Sequence, residues 1–465
     1  MTDSFAPDVC AGRLESTDYA RRFADAVPRL STAQAVLEAE RCLYCFDAPC
    51  TQACPTHIDV PSFIRRIADQ NVRGAAKSIL QANPLGGMCA RVCPTETLCE
   101  AVCVRQSQED RPVAIGRLQR HAVDALMESP QPQLFSRAAT SGKTIAVVGA
   151  GPAGLACAHT LARHGHQVTV FDARPKAGGL NEYGLASYKT PNQYAQAEVQ
   201  WLLALGGIRI QTGWRLETAQ QLQALQRDHD AVFLGLGLAT TPALGVPGEN
   251  LAGVRDAVDF IAELRQCQDL STLPVGRRVV VIGGGMTAVD AAVQAKLLGA
   301  HSVHLVYRRG PGQMSASRDE QHWAQTQGVV IEHWLAPVEI IGRLPEMPSI
   351  TAATDQPAPV DHVRAVRFAY QVLADGQLLS TGQSVVRPAD MVFKAIGQSL
   401  GNPMLASAGL NLQSGRIATD ENGLTSLPGV WAGGDCRAGG LDLTVQAVAD
   451  GMQSAQAIHR HLMRL

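Results

Sequence analysis

A pattern that occurs twice limits what this chain can become. "KTIAVVGAGPAGLACAHTLARHGHQVTVFDARPKAGG", from Lys143, reads as a β-strand, a Gly-rich turn, a helix and a second strand. Gly149, Gly151 and Gly154 stand at G-x-G-x-x-G spacing. One glycine makes a tight turn, one admits a pyrophosphate close to the backbone, and one lets helix and strand pack closely. The helix that follows offers free N–H groups and a positive dipole end to phosphates. Asp172 ends the second strand where an acidic residue meets a ribose hydroxyl. Gly179 and Leu180 follow shortly after and are candidate cofactor contacts. "RRVVVIGGGMTAVDAAVQAKLLGAHSVHLVYRRG", from Arg277, repeats the plan with Gly283, Gly285 and Ala288. A lone glycine motif says little, but here strand, turn and helix recur together. Two α/β dinucleotide-binding domains are expected.

The tips of the two second strands differ. Aligning "HQVTVFDARP" with "HSVHLVYRRG" sets Tyr307 opposite Asp172, followed by Arg308 and Arg309. A carboxylate repels a 2′-phosphate, whereas guanidinium groups pair with it in a forked geometry. The second site is therefore expected to take NADPH, with NADH as the alternative and Arg318 of "SASRDE" as a third cation.

Nine of the twelve cysteines lie at or before Cys103. "CLYCFDAPCTQACP" carries Cys42, Cys45, Cys50 and Cys54, and "CARVCPTETLCEAVC" carries Cys89, Cys93, Cys99 and Cys103. Zinc sites favour two C-x2-C pairs across a longer spacer, and only Cys42 and Cys45 form such a pair. The first run, C-x2-C-x4-C-x3-C-P, is close to the bacterial ferredoxin run, whose fourth cysteine ligates the other of two clusters. On that logic Cys42, Cys45 and Cys50 hold one cluster, Cys54 crosses to the second, and Cys103 crosses back. "PSFIRRIADQNVRGAAKSILQAN" and "IGRLQRHAVDALM" have apolar residues at helical spacing, so this region is expected to be a small helical domain.

"CLYCFDAPCTQACP", "NPLGGMCARVCPTETLCEAVC" and "VAIGRLQRHAVD" resemble the N-terminal iron–sulfur domain of dihydropyrimidine dehydrogenase and the small subunit of its bacterial two-subunit form. The small subunit of bacterial glutamate synthase is a more distant resemblance; its second run is typically shorter than the one with five residues between Cys93 and Cys99. The resemblance implies two [4Fe-4S] clusters, one on Cys42, Cys45, Cys50 and Cys103. It implies that the other is held by Cys54, Cys93, Cys99 and a glutamine matching Gln119. Cys89 would then be a spectator, although thiolate chemistry alone would choose it.

Near the C-terminus "GVWAGGDCRAGGLDLTVQAVADGMQSAQAI" places Gly434 and Asp435 after a strand and Thr444 at a helix start. It resembles the second FAD signature of the two-dinucleotide-binding flavoproteins. The expected architecture is an α/β flavoprotein with two Rossmann-like domains, the NADPH domain inserted in the FAD domain, behind an all-α domain with two [4Fe-4S] clusters. The ranges are 1–140 for the iron–sulfur domain, 141–255 and 391–465 for the two parts of the FAD domain, and 256–390 for the NAD(P)H domain. A polar linker, "PQPQLFSRAATSGK", marks the first boundary, and "GLGLATTPALGVPGEN" and "FKAIGQSLGNP" are expected to be the two crossovers.

Composition excludes several other roles. A net charge of −2 and 18% charged residues give no basic face for nucleic acid and no polybasic tail. The first residues lack the charged and apolar regions of a secretory signal. The uncharged stretch Thr144–Ala162 is nearly as long as a membrane span, but the dinucleotide motif accounts for it. A cytoplasmic protein without membrane or nucleic-acid partners is expected. Cys157, Cys267 and Cys436 are isolated, so a disulfide-reductase dithiol is not expected. H-E-x-x-H does not occur. The ranges above leave no stretch for the FMN barrel in which the resembled family reduces pyrimidines. The expected function is thus an electron-input subunit, an NAD(P)H-dependent oxidoreductase whose FAD takes hydride and releases electrons singly to the clusters. An FMN-containing partner would receive them and reduce uracil or thymine. A glutamate synthase small subunit feeding 2-iminoglutarate reduction, and a non-catalytic iron–sulfur carrier, are the alternatives.

Overall fold

The computed structural model describes residues 8–342, 361–402 and 404–464. The expected domain ranges also run over residues 1–7, 343–360, 403 and 465, which lie outside the described residues. The chain forms two compact units. The main unit comprises Asp25–Glu182, Lys189–Thr240 and Ser399–Leu465; the insert unit comprises Met1–Ala24, Tyr183–Tyr188 and Thr241–Gln398.

The main unit is built on a five-stranded parallel sheet in the order Val430–Ala432, Ala231–Leu234, Thr144–Val148, Gln167–Asp172, Ile208–Thr212. Parallel strands need both faces covered, and the apolar run of Thr144–Val148 supplies both. Ile145 and Val147 join one buried cluster, Ala146 and Val148 another, as the two-residue period of a strand requires. Strand order reverses beside Thr144–Val148, so the crevice at its carboxyl end is where a nucleotide ligand is expected.

Seven helices carry the cysteine region of the same unit: Thr32–Ala39, Pro49–Gln52, Val60–Ala68, Val72–Ala82, Gly86–Val92, Val104–Glu109 and Ile115–Met127. The first helical stretch read from the sequence divides in two. Gln70 adopts a positive φ of 58°, and Asn71 caps the second helix by accepting from Gly74 N at 2.9 Å. Asp59 caps the helix before it through Ser62 N at 3.1 Å. Phe63, Ile64, Ile79, Leu80 and Leu118 are fully buried, each contributing roughly 1.5–3 kcal/mol. They belong to the same apolar cluster as Ile145 and Val147, and Cys42, Cys50, Cys54, Cys99 and Cys103 pack against it.

The insert unit repeats the parallel plan: Val330–His333, Ser302–Tyr307, Arg278–Gly283, Met391–Ala395, Val254–Asp256. A three-stranded antiparallel sheet, Leu335–Ile341, Ala365–Ala374 and Gln377–Pro388, accompanies it. Met391–Ala395 lies inside the insert sheet, and the main unit resumes at Ser399. Ser399 and Thr240, at the two crossovers, form an antiparallel bridge with N–H···O distances of 3.1 and 2.7 Å. In the insert unit Val9–Cys10 also pairs with Val275–Gly276. Among the described residues no helix is long and apolar enough to cross a membrane. The uncharged stretch that resembled a span is the strand Thr144–Val148 and most of the helix Pro152–Arg163.

Candidate cofactor and cluster sites

Cys42, Cys45, Cys50 and Cys103 line one cavity, closed by apolar neighbours that include Val60, Ile64 and Ile115. Burial, then the neighbouring Cys103 and Cys42 thiols, pushes the Cys50 thiol up to about 11. Cys42 is raised by burial and by Cys103 and Cys45, and its Sγ accepts from Tyr44 N at 3.5 Å. A second group gathers Cys93, Cys99, Cys54 and Cys89. Cys93 is raised well above an ordinary thiol by a hydrogen bond with the Cys89 side chain, then by burial and by Cys89, Cys99 and Cys54. Cys99 is raised by burial, then by Glu100 and Cys54. Thiols crowded and buried in this way resist ionisation until a cation offsets their charge, the chemistry of a metal-thiolate site. Among the described residues no three His, Cys, Asp or Glu side chains converge on one ion. A cubane instead places each thiolate on its own iron, so four thiols spread around a cavity suit it.

Gln119 is buried on the helix Ile115–Met127, and its Nε2 donates to Gly86 O at 2.7 Å. That bond leaves the amide oxygen, the iron-binding atom of an amide, as its other polar end. Cys89 is buried beside Cys93, one helical turn before it.

The first Gly-rich turn fits a nucleotide in several independent ways. Gly149 has φ +103°, and a Cβ there would sit 2.1 Å from Gly235 O. At Gly154 a Cβ would meet Gly149 O at 1.9 Å. Backbone approaches backbone at Gly151 and Gly179, where a Cβ on Gly179 would lie 2.7 Å from Gly151 Cα. Asp172 accepts from Ala150 N at 2.6 Å and Arg174 N at 2.7 Å, fixing the turn. Leu180 is exposed and opens the short helix Leu180–Tyr183. Gly434 lies against Ala153, and its N–H donates to Asp450 Oδ2 at 3.0 Å. Thr444 begins the helix Thr444–Met463 and donates through Oγ1 to Asn181 Oδ1 at 3.1 Å. Burial, then repulsion from Asp442, pushes Asp435 up to about 7, with Arg416 opposing. The structure thus brings Gly149–Gly154, Gly179–Leu180, Gly434 and Thr444 to the end of one sheet.

The second turn repeats the cradle. Gly283 has φ +154°, and a Cβ there would sit 2.1 Å from Ala395 O. The Tyr307 ring fills the space beside Gly284, and its hydroxyl donates to Gln313 O at 2.7 Å. Ala316 N donates to Gly284 O at 3.0 Å, and Ser315 stands by Gly285. Ala288 is fully buried where the first turn has Gly154. Arg308 and Arg309 are exposed directly after Tyr307, and Arg318 opens a helix capped by Ser317. None of the three is in an ion pair among the described residues.

Residues 143–451 match the family described as pyridine nucleotide-disulphide oxidoreductase, and residues 19–131 match dihydropyrimidine dehydrogenase domain II, 4Fe-4S cluster. The chain belongs to the pyridine nucleotide-disulphide oxidoreductase family. It carries that family's FAD/NAD(P)-type domain behind a 4Fe-4S domain, and it is an NAD(P)H-dependent oxidoreductase. It is 34% identical over 435 residues to the NAD-dependent dihydropyrimidine dehydrogenase subunit PreT of Escherichia coli, covering 94% of this chain and 96% of that one. Against the glutamate synthase [NADPH] small chain of Halomonas elongata it is 31% identical, covering 95% and 94%. It is 33% identical to the NADP(+)-dependent formate dehydrogenase subunit beta of Moorella thermoacetica, covering 89% of this chain but only 60% of that longer protein. FprA from Mycobacterium tuberculosis in complex with NADPH shares the fold at a TM-score of 0.56 and 19% identity, over 69% of this chain and 85% of that one. In this oxidoreductase none of the twelve cysteines is paired in a disulfide, and Cys157 and Cys436 are buried.

Sequence reasoning missed Asn181, Asp450 and Glu198. Glu198 was detectable: it lies on the apolar face of Tyr194–Leu203, between the buried Ala195 and Leu202, where a carboxylate calls for a partner.

Proposed function

We propose that this chain is the electron-input subunit of a dihydropyrimidine dehydrogenase, taking hydride from NADPH (NADH second) onto FAD and passing electrons through two [4Fe-4S] clusters. An FMN-containing partner subunit would use them to reduce uracil or thymine. The observation that carries this reading is the gathering of two cysteine groups against the same apolar cluster as the first nucleotide-type sheet. FAD converts a two-electron hydride into single electrons, and the clusters relay them. In this reading Gly151, Gly179 and the start of the helix at Thr444 would present backbone N–H groups to the flavin nucleotide. Gly149, Gly154 and Gly434, with the N–H groups of Gly149 and Gly434 engaged by Phe171 O and Asp450, would keep side chains out of its path. Asp172 orders that turn through two N–H groups. Asp435, whose burial raises it to about 7, would carry less negative charge toward phosphate than an ordinary carboxylate. Gly283, Gly285 and Ala288 cradle the pyridine nucleotide, and Arg308, Arg309 and Arg318 select its 2′-phosphate. Cys42, Cys45, Cys50 and Cys103 would hold one cluster; Cys54, Cys93, Cys99 and Gln119 the other.

A glutamate synthase small subunit is the second reading, favoured by the near full-length similarity to that chain. The test is anaerobic purification from the native source, identification of the co-purifying flavoprotein, and assay with NADPH. Consumption of uracil or thymine supports the proposal. Glutamate formation from 2-oxoglutarate and glutamine contradicts it.

A further inference from the structure

The peptide Gly86–Met88 is gripped from two sides. Gln119 Nε2 donates to Gly86 O at 2.7 Å, while Glu198 Oε1 accepts from Gly87 N at 2.8 Å and Met88 N at 3.1 Å. Glu198 is 0% exposed, and its other oxygen, Oε2, has no hydrogen-bond partner among the described residues. Gly87 is what admits the carboxylate: a Cβ there would lie 1.9 Å from Tyr194 Oη and 2.9 Å from Glu198 Oε1.

The groups facing Glu198 leave it without a cation of its own. Arg91, on the helix Gly86–Val92, is bound through two bonds of 2.8 and 2.9 Å to Asp124 on Ile115–Met127. The Arg91 guanidinium stands 3.3 Å over the Tyr194 ring, on Glu198's own helix. On Pro152–Arg163, which packs on that helix, His159 stacks with Trp201. On the C-terminal helix Asp450 is engaged by Gly434 N and Arg437. A buried carboxylate with two N–H donors and no cation is costly to keep ionised. Burial raises Glu198 to about 8, with the Met88 and Gly87 N–H groups and Arg91 opposing.

We propose that Glu198 is a positioning residue that holds the Gly86–Met88 peptide against Gln119 and carries a proton linked to electron uptake at the cluster on Cys54, Cys93 and Cys99. This rests on the reading that those cysteines hold a cluster. The step balances simply. One electron, originating from NAD(P)H, adds one negative charge to the cluster, and one proton from solvent forms an O–H bond on the Glu198 carboxylate. Nothing else is oxidised or reduced, and the proton leaves when the electron does. The carboxylate acts across the peptide that carries both of its N–H partners and the acceptor of Gln119, so charge and geometry there are coupled.

The test is a redox titration followed by EPR on the anaerobically prepared full chain, wild type and Glu198→Gln, from about pH 6 to about pH 10. Glutamine keeps an acceptor for the two N–H groups and removes the ionisation. In wild type the potential of one cluster falls as pH rises through the Glu198 transition, because the carboxylate opposes the added negative charge. In Glu198→Gln that potential stays at the wild-type low-pH value, while the other cluster behaves alike in both proteins. The same pH dependence of both clusters in the two proteins overturns the proposal. A wild-type protein with only the cluster on Cys42, Cys45, Cys50 and Cys103 overturns the underlying reading and the proposal with it. Should Glu198→Gln fail to fold, the wild type alone decides through its infrared difference spectrum on reduction. A gained protonated-carboxyl band supports the assignment, and its absence overturns it.

Discussion

The turns Gly149–Gly154 and Gly283–Ala288 share one plan and differ at two points. Each places its first glycine where a Cβ would strike the end of the adjoining strand at 2.1 Å, Gly235 O in one case and Ala395 O in the other. The third position then separates them. At Gly154 a Cβ would lie 1.9 Å from Gly149 O, whereas the second turn accommodates the methyl of Ala288. The strand tips also diverge: Asp172 folds back onto Ala150 N and Arg174 N, while Tyr307 packs on Gly284 and leaves Arg308 and Arg309 in solvent. One turn spends its charge on its own backbone, and the other keeps its charge outward. The first sheet also shares its apolar cluster with the cysteine helices, and the second has a cluster of its own. The repeated motif is thus set in two different surroundings, one packed against the cysteine helices and one with a solvent-exposed basic edge.

The sharpest way to break this comparison is a pair of exchanges at the third position. Gly154→Ala forces a methyl against Gly149 O and should cost about 1–3 kcal/mol as overpacking, with loss of bound flavin. Ala288→Gly should cost about 1 kcal/mol and leave nicotinamide-nucleotide binding in place. Flavin absorbance per chain and thermal unfolding read both, and equal losses would show that the two turns are not packed differently.

Next in size is the arginine pair. Replacing Arg308 and Arg309 together by alanine should raise the KM for NADPH roughly 10–100-fold, the scale of lost bonds to a charged group, and change that for NADH little. Steady-state kinetics with both nucleotides decide, and parallel changes would remove the assigned 2′-phosphate contact.

A third exchange sharpens the cysteine side. Gln119→Ala should alter the EPR spectrum of one cluster, with Cys89→Ala leaving both spectra unchanged. The opposite result makes Cys89 the eighth ligand.

The smallest effect concerns pH. Asp435 is raised to about 7 from an ordinary 3.8, so between these values the folded protein binds a proton that the unfolded chain has released. Its stability contribution is full below about pH 4 and is lost as pH rises through about 7. Asp435→Asn should therefore gain in Tm relative to wild type on going from pH 5 to pH 8, by calorimetry at about those values. A pH-independent difference contradicts the assigned burial effect.

Much of this architecture was legible because its signals are local. Glycine spacing beside alternating apolar runs exposes both turns, and four cysteines within thirteen residues expose a cluster-binding region. The helix Ile115–Met127 is plain from its period, and so are its neighbours, though the break at Gln70–Asn71 depends on one left-handed residue and one cap. Non-local pairings were not legible. "MVFKA" is too short and apolar to reveal which sheet it joins, and the two-residue strand Val9–Cys10 meets a partner more than 260 positions away. Glu198 reaches Gly87 across 111 positions, so its helix shows a polar residue on an apolar face without showing why.

The claim that organises all of this is that one chain carries both the hydride acceptor and two electron carriers. Its most direct test is anaerobic titration of the flavin- and iron-replete protein with NADPH, followed by EPR. The account predicts iron equal to two four-iron clusters per chain and two distinguishable cluster signals that appear on reduction by NADPH alone. A protein whose flavin bleaches while its clusters stay silent at every potential, or that binds iron for a single cluster, contradicts it.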